Sequence, residues 1–172
     1  MARMVRLTAL AAGAAAALVT APLSARTVGA WEVVPSAPGT CMMVAVFDND
    51  TWQGTSLGLV WTPAEGRLGF LAASRTWTDL HEREGDPAAL QLTFDGEVDY
   101  SQWRHEGARF QNLGGMKTIA GSWGAENSDR LAAAMTGSDA VTVRVGGTDL
   151  GTFDISGAGA AYRELLRCGE RA

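Results

Sequence analysis

Histidine, cysteine and long apolar runs are scarce in this chain, and each scarcity removes a class of function. There are only two histidines, His81 and His105, and only two cysteines, Cys41 and Cys168. One metal ion needs three or four convergent ligands. Two distant histidines without ligand spacing do not supply them, so neither a metal nor a cofactor is expected. No stretch beyond the N-terminal segment reaches ~18 apolar residues, so no membrane span is expected after it. Basic residues are also in deficit, with 14 Lys and Arg against 19 Asp and Glu and a net charge of -5. A nucleic-acid partner needs a basic stripe, and none is visible.

The one long apolar run lies at the start. Arg3 and Arg6 precede an Ala- and Leu-rich stretch from Leu7 to Val19, and Leu23-Ser24-Ala25 offers small residues for cleavage before Arg26. This is the pattern of a secretory signal peptide over residues 1–25, leaving a single β-rich domain over 26–172. Its removal takes two basic residues and no acidic one, which moves the net charge from -5 to -7. About 147 residues then remain, enough for one domain with a real core. In an oxidising compartment Cys41 and Cys168 are expected to close as a disulfide, a long loop worth about 4 kcal/mol in the chain-entropy treatment.

Hydrophobic periodicity predicts mainly strands. Val28 to Val34 alternates, with Pro35 and Pro38-Gly39 ending it as a turn. Cys41 to Phe47 is a continuous apolar run of strand length, the signature of a central strand. Thr55–Thr62 and Arg67–Ser74 read as a hairpin around Pro63-Ala64-Glu65-Gly66, with Leu57, Leu59 and Trp61 on one face of the first strand and Leu68, Phe70 and Ala72 on one face of the second. Arg75 to Glu84 fits neither period and is assigned a strand followed by a loop. Leu90–Phe94, the Asp95-Gly96 turn signal and Val98–His105 form a second hairpin, and Met116–Ala120 a further strand.

A helix is expected from Asn127 to Gly137, followed by a closing unit. In that unit Val141-Thr142-Val143-Arg144-Val145 alternates, Gly146-Gly147 reverses the chain, and a strand through Phe153 and Ile155 leads to Ser156 as N-cap. The last helix places Ala158, Ala161, Tyr162, Leu165, Leu166 and Cys168 on an apolar face and Arg163, Glu164 and Arg167 opposite. Strands are not interleaved with helices, which excludes a doubly wound parallel sheet. The expected fold is mainly β, an antiparallel sheet or sandwich closed by a hairpin and a C-terminal helix.

Motifs for chemistry fail on context. Gly54-Thr55-Ser56-Leu57-Gly58 matches the G-x-S-x-G pattern, but a β-patterned run follows the serine where a nucleophile elbow needs a helix. Asp48-Asn49-Asp50-Thr51 resembles an aspartyl-phosphate signature without its parallel α/β scaffold. The acid pairs Asp48/Asp50 and Glu97/Asp99 lack the glycine and terminal glutamate of an EF-hand loop. No catalytic residue is assigned.

Aromatics are the stronger lead, since six tryptophans is a heavy load for so small a domain. Trp31 and Trp61 are expected to cap the core. Trp52, Trp77 and Trp103, with Arg104 beside the last, are the candidates for an exposed surface that stacks on sugars or anchors a protein.

Gly29-Ala30-Trp31-Glu32-Val33 followed by Cys41, with the strand-helix ending through Phe153-Asp154-Ile155-Ser156-Gly157, resembles the invasion-associated locus B proteins, exported β-sandwich-like proteins of alphaproteobacteria. The likeness covers about a third of the residues after 25, leaves Asp48 to Gly124 unmatched, and brings no catalytic residues. It implies a cell-envelope role. The sequence therefore points to a periplasmic or secreted binding protein of a Gram-negative bacterium, without catalytic activity, that engages a protein or glycan of the envelope. Two other readings stay open: an envelope hydrolase using Glu97 and Asp99 as a paired-carboxylate site, and a periplasmic inhibitor or immunity protein.

Overall fold

The computed structural model describes residues 25–171 apart from 48–53, 79, 81–82, 96–97, 100–105 and 114. Strands β1 (Arg26–Val28), β2 (Trp31–Ala37), β3 (Thr40–Phe47), β4 (Thr55–Thr62), β5 (Arg67–Ser74), β8 (Glu106–Leu113) and β9 (Met116–Trp123) form a seven-stranded antiparallel sheet in the order β1-β2-β3-β4-β5-β9-β8. A second sheet of four strands has the order β11-β10-β6-β7, built from β6 (Leu90–Phe94), β7 (Val98–Asp99), β10 (Ala140–Val145) and β11 (Thr148–Asp154). Helices α1 (Ala125–Gly137) and α2 (Ala158–Arg171) flank the β10–β11 hairpin in sequence.

Alternation decides which side of the large sheet is buried. Trp31 and Val33, Cys41, Met43 and Ala45, Leu57 and Leu59, Leu68, Phe70 and Ala72, and Ile119 and Trp123 lie opposite one another in register and form one continuous buried face. The four-stranded sheet covers one end of this face through Leu90, Leu92, Phe94, Val141, Val143, Leu150 and Phe153. There the rings of Phe47 and Phe153 meet at 5.2 Å. The helices cover the other end, α2 against β2 and β3, and α1 against β5. Ser128 of α1 fixes the second contact: its hydroxyl donates to the Trp123 carbonyl at 3.1 Å and accepts from the Leu68 amide at 3.0 Å. The expected antiparallel, mainly β architecture with two C-terminal helices is the one observed.

Local expectations hold where the period was clean. The Thr55–Thr62 and Arg67–Ser74 hairpin has the expected limits and turns through a short 3-10 segment, Pro63–Glu65, with Gly66 left-handed at φ 58°. At the β6 turn Asp95 is left-handed, at φ 45°, and its carboxylate accepts from the amides of Asp139 and Ala140, the latter at 2.8 Å. That contact sets the start of β10.

Five local readings need correction. Val28 to Val34 is not one strand, because Gly29, left-handed at φ 62°, and Ala30 turn the chain between β1 and β2 and bring Val28 opposite Trp31. Pro35 stays within β2, at an irregular register with β3, and does not end the strand. Residues described between 75 and 84 form bends and turns with no strand, consistent with their lack of period. The run after Gly96 is a strand only at Val98–Asp99; the next strand begins at Glu106 and belongs to the other sheet. Ser156 precedes α2 by two residues, and its amide donates to Asp154, whose carboxyl the Ser156 hydroxyl and amide hold below the usual range.

The two ends of the described chain are joined twice. Cys41 and Cys168 form a disulfide with an S–S distance of 2.02 Å, which pins α2 to the buried face of β3. Next to it Gly169 lies under the ring of Trp61, where any added Cβ would come within 2.8 Å. The second tie corrects the expected polar face of α2. Glu164 is 5% exposed, and its carboxylate accepts from Arg26 of β1 at 2.9 Å, Arg171 at 3.0 Å and Arg167 at 3.2 Å. Helical period alone places Glu164 opposite Leu165's neighbours, but packing of α2 on β2 brings β1 over it.

Burial opposes the Glu164 charge, yet the Arg171 hydrogen bond, with Arg167 and Arg26 behind it, leaves the carboxyl pKa lowered. A lowered folded pKa contributes stability that is complete above the unfolded value of about 4.3 and is lost as pH falls through the folded one. Glu164→Gln is expected to cost about 1–2 kcal/mol near neutral pH, between exposed ion pairs and buried charged hydrogen bonds, because the arginines stay partly in water. Urea unfolding of both proteins from pH 7 to pH 3 should show the difference shrinking below pH ~4. Cys168→Ser is expected to cost about 2–5 kcal/mol in the same measurement at every pH, since a disulfide does not titrate.

Candidate binding surface

The opposite face of the seven-stranded sheet is covered by neither the second sheet nor the helices among the described residues. Two rows of side chains cross it. One runs Glu32, Val44, Gly58, Leu71, Ala120 and Arg109 from β2 to β8, and the next runs Val34, Met42, Val60, Gly69 and Ser122. Apart from the end residues and Ser122, every member is apolar or glycine. Val46 continues the apolar character on β3 and, at 62% exposed, is the large hydrophobic side chain that stands out furthest into solvent among the described residues. A third row, Ser56, Ala73 and Thr118, closes the face at one end, where Ala73 and Thr118 are already buried.

The floor is shallow because of its glycines. A Cβ on Gly58 would lie 2.8 Å from the Met43 carbonyl oxygen, so close approach of β3 and β4 demands glycine there. Gly69 sits beneath a depression of about 290 Å³ lined by Val60, Leu71, Ala120, Arg109 and Gln111, whereas Gly121 faces the core, where an added Cβ would meet Ala108 at 3.1 Å. Glu32 and Arg109 stand exposed at opposite ends of their row. Arg109 reaches the Gly85 carbonyl at 3.4 Å, and Arg67 donates to Ser122 at 3.0 Å. The arrangement is an aliphatic floor with a sparse charged rim, suited to exclude water against another surface and unsuited to acid-base chemistry.

The residues assigned from sequence as the surface are not gathered here. Trp77 is 6% exposed and belongs to the core, so its ring presents no open face to a sugar or a protein. Its polar flanks hid this, because the segment around it has no period to read. Trp52, Trp103 and Arg104 lie outside the described residues, as do Glu97, His81, His105 and the Asp48/Asp50 pair. Asp99 lies in β7, paired with Thr93. Ser56 sits within β4 opposite Val46 and Ala73, with no helix after it, so the G-x-S-x-G match is a strand. Trp31 and Trp61 do cap the core, Trp31 buried with its indole N–H toward the Ser156 carbonyl at 3.4 Å. No group of three or more metal-ligating side chains occurs among the described residues.

The outer face itself had a signal in the sequence. Cys41-Met42-Met43-Val44-Ala45-Val46-Phe47 is apolar on both sides of the strand, and only its odd positions enter the core.

The architecture places the chain among two-layer antiparallel β proteins closed by a C-terminal helix. Within that class it is similar to the crystal structure of invasion-associated protein B from Bartonella henselae, with a TM-score of 0.58 over 86% of this chain and 99% of that one. Sequence identity is 11%, so the likeness is one of fold. No family model matches the chain, and no curated protein matches it.

The face assignment predicts opposite outcomes for neighbours on β5. Phe70→Ala should cost about 3–5 kcal/mol in urea unfolding because it empties the core. Leu71→Ser, one residue on, should cost no more than about 1 kcal/mol. Equal costs would mean that the outer face is covered.

Proposed function

We propose that this chain is an exported binding protein of a Gram-negative cell envelope, that it catalyses no reaction of its own, and that it engages a protein partner through the outer face of the seven-stranded sheet. The observation that carries the reading is the pair of apolar rows from Val44 to Ala120 and from Val34 to Gly69, on a face that neither the second sheet nor the helices cover among the described residues. Export is supported by the Cys41–Cys168 disulfide, which persists in oxidising compartments, and by the fold likeness to invasion-associated protein B. It is compatible with there being no helix, among the described residues, long and apolar enough to cross a membrane.

A protein fits this face better than a glycan does. Sugars are held by exposed aromatic rings and dense polar groups, whereas the floor here is valine, leucine, methionine and glycine with charge only at its ends. Photo-crosslinking in the periplasm tests the reading. A benzophenone side chain at Leu71 should give discrete protein adducts that Val44→Asp abolishes, while one at Thr152 on the polar side of β11 should give none. Equal adducts at both positions, or none at Leu71 together with binding to soluble glycans, would replace this reading with a glycan one.

A further inference from the structure

The outer face carries a pattern that names its occupant. Across the row from β2 to β8 the residues read acid, large, glycine, large, small, base: Glu32, Val44, Gly58, Leu71, Ala120, Arg109. Reversed, the same row reads base, small, large, glycine, large, acid. Each position is thus matched by its complement. We propose that the face is self-complementary and that its occupant is a second copy of this chain, packed sheet to sheet about a two-fold axis that runs along the strands between β4 and β5. The proposal rests on the reading of this face as a protein-docking surface and identifies the partner.

The geometry follows from the register. A two-fold axis along the strands keeps each row opposite itself and reverses its order, the self-matching that an isologous contact requires. Leu71 of one copy then lies over Gly58 of the other, and Val44 over Ala120. In the neighbouring row Val60 lies over Gly69, and Met42 over Ser122. Large side chains meet small ones at Gly58, Ala120 and Gly69, and Met42 meets Ser122 together with the Arg67 guanidinium bonded to it, an interdigitation that lets two sheets approach to ~10 Å. The depression of about 290 Å³ above Gly69 receives the Val60 side chain of the other copy. At each end Glu32 faces Arg109, so the dimer gains two symmetric ion pairs at its rim, and the length of the arginine side chain absorbs the offset that sheet twist introduces there.

Size sets the strength. Six strands spaced ~4.8 Å apart, with ~20 Å of open length, give a footprint of roughly 600 Å² per copy and roughly 1,200 Å² in total. That is the small end of specific interfaces, so a reversible dimer is expected. The edges of the sheet do not compete for this role. Residues 85–88 run beside β8, where the Gly85 and Ala88 amides donate to Phe110 and Ala108 and the Phe110 amide donates to Asp86. At the far edge β1 is only three residues long.

Sedimentation velocity on the full chain, secreted and purified with its disulfide closed, tests the proposal. The wild type should pass from monomer to dimer over micromolar concentrations. Glu32→Arg and Arg109→Glu should each raise the dimer Kd about fivefold or more, and the double reversal should return it to within about twofold of wild type, as complementary rim charges require. Leu71→Asp should leave a monomer whose near-UV circular dichroism matches the wild type. A monomer up to ~1 mM, or a dimer indifferent to all three substitutions, overturns the proposal. If adducts at Leu71 then join only other proteins, the docking reading stands and this occupant falls. If Leu71 gives no adducts, both fall.

Discussion

A seven-stranded sheet has two faces, and the described chain spends its covering elements on one of them. Both helices and the whole four-stranded sheet pack over the side that carries Trp31, Met43, Leu59, Phe70 and Ile119. Full burial of a side chain of this size is worth about 1.5–3 kcal/mol, so the covered side supplies the core stability. The same strands place valine, leucine and methionine on the other side, where neighbouring strands shield them only in part. These half-buried residues stabilise the sheet through cross-strand contacts, and the apolar area they leave in water is what the proposed docking would cover.

The cover itself must be held in place, because α2 follows a hairpin that belongs to the other sheet. Two interactions of unlike physics hold it. The disulfide joins α2 to β3 regardless of pH, and the Glu164 cluster joins it to β1 only while the carboxylate is charged. Removing a carboxylate from water costs several kcal/mol, and one cation seldom repays it. Here three guanidiniums converge while keeping much of their own hydration, with side chains 45–62% exposed, so only one member of the cluster bears the desolvation cost. That asymmetry explains why Glu164 stays ionised although buried.

How much of this was legible depended on whether a segment had one face to hide. The β4–β5 hairpin and the β10–β11–α2 unit alternate or repeat cleanly, and their limits follow from the pattern. Where the pattern was absent, around Trp77, burial was decided by contacts remote in sequence. Glu164 shows a different limit. A helical period assigns a residue to a face of its own helix, but exposure depends on what the rest of the chain lays over that face, and β1 is 138 residues away. The run from Cys41 to Phe47 shows a third. A strand apolar on both sides reads as fully buried, and nothing local distinguishes a strand sandwiched in its own monomer from one whose second cover is another molecule.

That last ambiguity is where fold and function meet. An open β protein exposes either edges or faces to association, and edges are the more promiscuous because unpaired amides and carbonyls accept any strand. In the large sheet one edge is a three-residue strand and the other is partly bonded to residues 85–88. Backbone pairing is thereby blunted, and what remains is a face whose recognition depends on side-chain shape. Gly58 illustrates the consequence: the Met43 carbonyl requires glycine there for the sheet to form, and the missing side chain keeps the outer row low between Val44 and Leu71. A constraint that serves folding thus also shapes the outer row, over which the proposed second copy would set its Leu71.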